Sequence, residues 1–161
     1  MSFPTESGEI SAIYRAPADV PGIIIGSRTQ ARLVAPGSLT GGQFGLFEWN
    51  MPGRAGGPDA HFHKTFSESF YILSGTVKLY DGARWVAATP GDFLYVPAGG
   101  IHAFHNDADV AASMLILFAP GAPRERYFQE LADNAATGRT LTEDEWTELF
   151  ARHDQYRAGT G

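Results

Sequence analysis

The chain has 161 residues, of which 43% are hydrophobic and 19% are charged, and its formal net charge is -6. This length predicts one folded domain, and the composition excludes an intrinsically disordered chain. Lys64 and Lys78 are the only lysines, so the sequence offers no basic stripe for a nucleic-acid backbone. The absence of cysteine excludes disulfides, thiolate nucleophiles and sulfur ligands for a metal.

The first residues, MSFPTESGEISAIYRAP, carry acids and a proline, where a signal peptide has a basic start and an apolar run. The apolar segment GIIIG at residues 22–26 is too short to cross a bilayer. Both features predict a cytoplasmic protein.

Short apolar runs separated by Gly, Pro, Asn and Asp extend from about Gly22 to Phe118 and predict an all-β region. Such a density of short strands is typical of a barrel or sandwich. Asp81-Gly82 predicts a hairpin, because a tight primed turn needs positive φ, and TGGQ at 40–43 predicts a similar turn. The predicted strands are 22–26, 30–35, 43–50, 59–64, 68–73, 76–81, 84–88, 92–96, 102–105 and 113–118.

After APGAP at 119–123 the apolar residues follow a helical period. Pro123 suits the first turn of a helix and Gly138 suits its C-terminal cap. Thr142 and Glu145 predict a capping box that opens a second helix. We expect one domain over residues 1–161, with a barrel at about 22–118 and a helical extension at about 123–155 whose two helices pack outside the barrel. The apolar helix positions are Phe128, Leu131, Ala132 and Ala135, then Trp146, Leu149 and Phe150.

The stretch HFHKTFSESFYILSG at 61–75 combines metal-ligating side chains. His61 and His63 project from the same face of a strand, because side chains alternate along it. Glu68 can join them if residues 64–67 turn the chain back. Imidazole with carboxylate suits a first-row divalent metal; the alternative is a chance grouping of surface residues.

A second stretch, GDFLYVPAGGIHAFHN at 91–106, resembles the second conserved motif of the cupin superfamily at Gly91, Pro97, Gly99, His102 and Asn106. Residues 61–75 resemble the first cupin motif from His61 to Gly75. The combination of both motifs is more specific than either alone.

The cupin resemblance implies a double-stranded β-helix, or jelly roll, in which His61, His63, Glu68 and His102 bind one divalent transition metal: iron, manganese, nickel, cobalt or zinc. One departure is that Ala55 stands where the first motif begins with glycine, with Gly56 and Gly57 just beyond.

Two further histidines are expected outside this cluster. His105 lies an odd number of residues from His102 and faces the other way on a strand. His153 is expected at the surface of the second helix.

Apolar residues on the same strand faces as the predicted ligands are expected to line a substrate chamber. Leu46 and Glu48 are the alternative inward residues of strand 43–50, because a slip of one residue reverses its faces. A mostly aromatic chamber suits planar or hydrophobic oxygen-bearing molecules. The expected lining is Phe47, Trp49, Met51, Phe70, Ile72, Phe104, Met114, Ile116 and Phe118.

Within the cupins, the chain is similar to the single-domain quercetin dioxygenase-like group. This resemblance implies a homodimeric, metal-dependent dioxygenase that cleaves a flavonol-like or other aromatic, enolic small molecule with O2. Glu68 would be the catalytic residue that accepts the substrate's proton. A non-catalytic small-molecule-binding or sensory cupin stays open, as does a metal-dependent isomerase or decarboxylase, since the same ligands host several reactions.

Overall fold

Eleven strands and two α-helices make up the computed structural model, which describes residues 7–26 and 28–159. A short 3-10 helix at Pro17–Asp19 precedes them. All ten predicted strands are confirmed, with ends shifted by up to two residues. The strands are β1 Gly22–Ile25, β2 Thr29–Ala35, β3 Gly45–Met51, β4 His61–Phe62, β5 Ser67–Ser74, β6 Val77–Tyr80, β7 Trp85–Ala88, β8 Phe93–Val96, β9 Ala103–His105, β10 Ala112–Ala119 and β11 Tyr156–Arg157.

The strands form antiparallel sheets whose inner faces share one core. The largest sheet has the order β1-β2-β3-β10-β5-β8, a second has the order β7-β6-β9, and β4 pairs with β11. Phe104 on β9 lies 5.7 Å from Phe70 on β5 and 6.0 Å from Trp49 on β3, measured between ring centroids. Side chains of the two larger sheets therefore pack together, as in the predicted double-stranded β-helix.

Strand β3 shows how alternation sets the inner face of the barrel. Phe47, Trp49 and Met51 are buried, whereas Leu46 and Glu48 are half-buried on the other face. Glu48 there forms an ion pair of 2.7 Å with Arg32. Of the two faces that the sequence left open, the structure therefore buries the aromatic one.

Both predicted helices are present, as α1 Arg124–Thr137 and α2 Glu143–Arg152. Gly138 caps α1 with φ 69°, and Thr142 and Glu145 form the predicted capping box of α2. The helices lie outside the sheets, as predicted, and α1 also reaches the core, where the Phe128 ring lies 5.1 Å from that of Phe47. Among the described residues, no helix is both long and apolar enough to cross a membrane.

The chain after α2 returns to the barrel, which the sequence did not predict. Strand β11 pairs with β4, with Tyr156 opposite Phe62. His153, expected at the surface, is mostly buried: its side chain is 14% exposed and its Nε2 lies 2.6 Å from Glu130 of α1. The surface prediction was wrong because α2 lies against α1 at this end.

Candidate metal centre and cavity

Main-chain hydrogen bonds bring the two histidine-bearing segments side by side. The N–H groups of His61 and His102 each donate to the other's carbonyl, at 3.0 and 2.9 Å. The N–H of Gly99 donates to the carbonyl of His63 at 2.6 Å. Glu68 arrives from β5, the next strand along the chain after β4. The backbone thus fixes the distances between all four side chains.

Four buried donor groups converge between these segments. One ligand atom from each of His61, His63, Glu68 and His102 lies within 4.8 Å of the others. Glu68 Oε2 is 2.9 Å from His63 Nε2 and 2.7 Å from His102 Nε2. The structure therefore brings together the four residues that the sequence predicted as ligands.

Each histidine of this cluster has its Nδ1 atom hydrogen-bonded to a main-chain carbonyl. Nδ1 of His61 donates to Asp59 at 2.7 Å, that of His63 to Asp154 at 2.6 Å, and that of His102 to Gly100 at 3.0 Å. An imidazole with its proton on Nδ1 presents an Nε2 lone pair, the form that binds a metal. In the neutral ring, the surrounding backbone thus favours the ligating tautomer at all three positions; the hydrogen bonds from Nε2 of His63 and His102 to Glu68 use a second proton, which a bound metal ion would displace.

The Asp154 side chain holds the loop that follows His63. Its carboxylate accepts hydrogen bonds from the N–H groups of Lys64 at 2.8 Å and Thr65 at 2.9 Å. Asp154 has φ 55°, a left-handed conformation in which Asp is enriched. The segment after α2 therefore fixes both the ring of His63 and the turn that leads to Glu68.

Burial and the charges of neighbouring groups lower the pKa values of His61 and Glu68 and raise that of His102. Burial lowers the pKa of His61 to about 3, and His102 adds to this effect. Burial raises the pKa of Glu68, but the charge and hydrogen bonds of His102 and His63 outweigh it and hold that pKa well below its usual range. Burial lowers the pKa of His102, but Glu68 outweighs it and raises that pKa overall.

The chemistry of the cluster fits a divalent transition metal. Three imidazoles and one carboxylate leave such an ion with net positive charge, and in octahedral geometry with open positions. Metal–ligand bonds of about 2.0–2.2 Å place opposite ligands about 4.2 Å apart, close to the observed spread of 4.8 Å. Small side-chain movements would let His61, His63, Glu68 and His102 hold one ion.

The cluster opens on a cavity of about 350 Å³, which His61 and Glu68 help to line. This volume is in the range of small-molecule sites. Of the nine residues expected around a chamber, four line this cavity: Trp49, Phe104, Ile116 and Phe118. The other five are buried in the core but do not line it: Phe47, Met51, Phe70, Ile72 and Met114.

The helical extension supplies a large part of the remaining wall, including polar groups that sequence reasoning missed. Arg124 and Tyr127 come from α1 and Gln155 from the residues before β11. Burial raises the pKa of Tyr127 to about 12, so its phenol is neutral. Nothing in the local pattern marks these residues, because they reach the cavity through tertiary packing. The extension also contributes Phe128, Leu131, Trp146 and Phe150.

The remaining motif residues have structural roles. His105 lies outside the cluster, as expected, and its ring contacts Trp85 at 4.6 Å. The buried Asn106 donates to the carbonyls of Pro52 and Val110. Ala55 stands where the first motif begins with glycine, but the position that requires glycine is Gly57, two residues later. A Cβ atom on Gly57 would lie 1.8 Å from the carbonyl oxygen of Phe104.

Comparisons with known proteins agree with this architecture. Residues 47–118 match the family described as Cupin domain. A stretch of 102 residues, 63% of the chain, is 32% identical to quercetin 2,3-dioxygenase of Bacillus subtilis (strain 168). That stretch spans only 29% of the relative's length.

Solved cupins share the fold at low sequence identity. A sugar phosphate isomerase of Silicibacter pomeroyi has a TM-score of 0.58 and 21% identity, covering 66% of this chain and 75% of the other. A predicted oxalate decarboxylase of Thermotoga maritima has a TM-score of 0.61 and 15% identity, covering 67% and 99%. These matches show that residues 47–118 resemble a Cupin domain and that the barrel shares its fold with both solved structures.

Proposed function

We propose that the protein is a metal-dependent dioxygenase that cleaves a flavonol-like or other aromatic, enolic small molecule with O2. The observation that carries this proposal is the opening of a four-donor cluster onto an aromatic cavity. His61 and Glu68 line the same space as Trp49 and Phe104. The identity to quercetin 2,3-dioxygenase supports the proposal, although it covers under a third of that protein.

The chain's own residues have distinct roles in this proposal. A bound divalent metal would supply a positive centre that polarises and orients oxygen ligands. Glu68 would accept the proton of the substrate hydroxyl, because it is the carboxylate that faces both the cavity and the histidines. Trp49 and Phe104 would hold the planar body of the substrate and exclude water. Both atoms of O2 enter the products, so the reaction needs no external reductant.

Other reactions compete with this proposal on the same scaffold. A metal-dependent isomerase or decarboxylase could use the same four donors, and a non-catalytic sensory cupin could use the metal only to orient a ligand. The isomerase and the predicted decarboxylase that share the fold are below 25% identity. They therefore support the fold alone and favour neither activity.

The test begins with metal content and then measures oxygen. Protein loaded separately with iron, manganese, nickel, cobalt or zinc is analysed for bound ion, and oxygen uptake is followed with quercetin and with catechol. We expect one ion per chain and uptake that depends on it. Glu68→Gln should lose uptake, whereas Glu48→Gln, which changes a half-buried carboxylate on the outer face of β3, should retain it.

Two results would contradict the proposal in different ways. No stoichiometric metal under any loading condition would exclude metal-dependent activity of any kind. Tight flavonol binding without oxygen uptake, in protein that carries one ion, would favour the sensory alternative.

The wider setting of the protein is also part of the proposal. We infer a homodimer from the cupin resemblance and propose a cytoplasmic location. The sequence has a net charge of -6 and only two lysines, which supports the expectation that the protein does not bind nucleic acid.

A further inference from the structure

Arg124, the first residue of α1, is a buried cation that forms no ion pair with a carboxylate among the described residues. It is 4% exposed and lines the same cavity as His61 and Glu68. The ion pairs of arginine within residues 7–26 and 28–159 involve other arginines. Since a buried charge is costly unless it is paired and hydrogen-bonded, this position calls for an explanation.

The hydrogen bonds of Arg124 leave part of its guanidinium unsatisfied. Nη1 donates to the carbonyl of His153 at 2.9 Å, and Nη2 donates to Gln155 Oε1 at 3.1 Å. Nε is buried, and no group in the described part of the chain accepts a hydrogen bond from it. A role limited to joining α1 to the C-terminal segment leaves this buried donor unexplained.

Aromatic rings surround the guanidinium on several sides. Its Cζ atom lies 4.2 Å from the ring centroid of Tyr127, 5.2 Å from that of Phe118 and 5.3 Å from that of Phe66. Such rings stabilise a cation through their faces. They do not replace an anionic acceptor for an N–H that lies in the guanidinium plane.

The charge of the cavity wall favours an anionic ligand. Among the described residues that line the cavity, Glu68 is the only carboxylate; its hydrogen bonds go to the histidines, and it acts on Arg124 through its charge alone. Tyr127 is neutral and Gln155 is uncharged, so neither compensates the charge of Arg124. An occupant with an aromatic body and an anionic oxygen group would match both the apolar wall and this cation.

We propose that Arg124 binds a carboxylate of the substrate, so that the cavity takes small aromatic carboxylic acids. Planar guanidinium and carboxylate groups make the strongest charge-assisted hydrogen bonds in proteins. This inference rests on the proposed function, because it takes this cavity as the substrate site. It adds the chemical class of the substrate. Anion binding itself does not require the dioxygenase reaction.

The test compares two probes of the same shape, 2-naphthoate and the neutral 2-naphthamide. Their affinities for the full chain are measured by isothermal titration calorimetry, in protein freed of metal with a chelator and in zinc-loaded protein. We expect naphthoate to bind about tenfold or more tightly than naphthamide, the size of a charged hydrogen bond. Arg124→Gln should remove this preference in both forms while leaving naphthamide binding unchanged.

The matched control is Arg126→Gln, which removes an exposed arginine from the same turn of α1. It should leave the affinities for both probes unchanged. Equal affinity of the wild-type protein for the two probes would overturn the proposal. An equal loss of affinity for both probes in folded Arg124→Gln would also overturn it, because replacing an arginine that only supports the structure would weaken both probes alike.

A second variant keeps the test decisive if Arg124→Gln fails to fold. Arg124→Lys keeps the positive charge but lacks the Nε donor, so it should retain a preference for naphthoate with weaker affinity. Wild-type affinity for naphthoate in this variant would contradict the role of the guanidinium. If the protein prefers naphthoate through Arg124 but takes up no oxygen, only the proposed dioxygenase activity is refuted. If it takes up oxygen but does not prefer naphthoate over naphthamide, only the proposed role of Arg124 is refuted.

Discussion

His63 combines three contacts that set its position in the candidate metal centre. Its Nδ1 is fixed by the carbonyl of Asp154, its Nε2 lies near Glu68, and its ring stacks on Phe66 with centroids 4.3 Å apart. A ring held in this way loses little conformational freedom when it binds an ion. We therefore expect its donor atom to contribute directly to metal affinity.

Replacing His63 should remove metal binding and leave the barrel folded. His63→Ala loses one of four donors. Removing a residue that only hydrogen-bonds to a metal ligand typically lowers metal affinity by about 10–100-fold, so His63→Ala should lower it by more. Bound ion after desalting, with the circular dichroism spectrum, measures both effects. His105→Ala, which removes a half-buried histidine outside the cluster, should bind metal normally. Unchanged affinity in His63→Ala would contradict the ligand assignment.

Asp154 supports the candidate metal centre without belonging to its donor cluster. Asp154→Asn keeps a side chain suited to the left-handed backbone but weakens the hydrogen bonds to Lys64 and Thr65. The loop after His63 then becomes less ordered, so metal affinity should fall about tenfold. Titration with zinc measures this change. An affinity equal to wild type would show that the main chain alone positions His63.

The same carboxylate gives the metal-free protein a defined pH dependence. Burial raises the pKa of Asp154, but hydrogen bonds from Thr65 and Lys64 outweigh it and lower that pKa below its ordinary 3.8. A depressed pKa means that the stabilisation is fully present above about pH 3.8 and is lost as pH falls through the folded-state value. Urea unfolding of wild type and Asp154→Asn should therefore differ by about 1 kcal/mol at neutral pH. A difference that fails to shrink below about pH 3.8 would contradict this linkage.

At the scale of elements, α1 and the segment 153–157 complete a barrel that is open on one side. Phe128 of α1 packs its ring 5.1 Å from those of Phe47 and Trp49, and β11 pairs with β4 beside the histidines. The helical extension therefore forms part of the cavity wall and also shares the core. Removing its contacts should affect the stability of the whole domain rather than that of the helices alone.

Phe128→Ala tests whether the extension folds with the barrel. A buried phenylalanine truncated to alanine costs about 3–5 kcal/mol, so the free energy of unfolding in urea should fall by this amount in one cooperative transition. Gln129→Ala changes the next, exposed residue and should stay within about 0.5 kcal/mol of wild type. A separate early transition in Phe128→Ala would instead indicate that α1 unfolds independently.

At the scale of the whole molecule, the features that could be predicted are those set by local periodicity and spacing. His61 and His63 share a strand face because they are two residues apart, and the turn at 64–67 returns Glu68 to them. The hairpin at Gly82 also follows from local sequence, although only Gly82 of the Asp81-Gly82 pair has positive φ, at 97°.

Features that depend on distant packing could not be predicted in this way. Arg124 stands beside Glu125 and Arg126, a charged run typical of an exposed helix start. Its burial follows from contacts with His153 and Gln155, which are 29 and 31 residues further along. Strand β11 has only two residues, too few for any alternation to be recognised.

Metal binding should be visible as a property of the whole fold. An ion that binds the four donors only when the barrel is folded stabilises the native state by about 2.7 kcal/mol at a concentration of about 100 times Kd. For a domain of this size, this corresponds to a rise in Tm of roughly 5–11 °C. Thermal unfolding followed by circular dichroism with each ion, and again after a chelator, measures the shift. His63→Ala should show no rise, because its cluster keeps only three donors. A rise of equal size in wild type and His63→Ala would mean that the ion stabilises the protein from a different site.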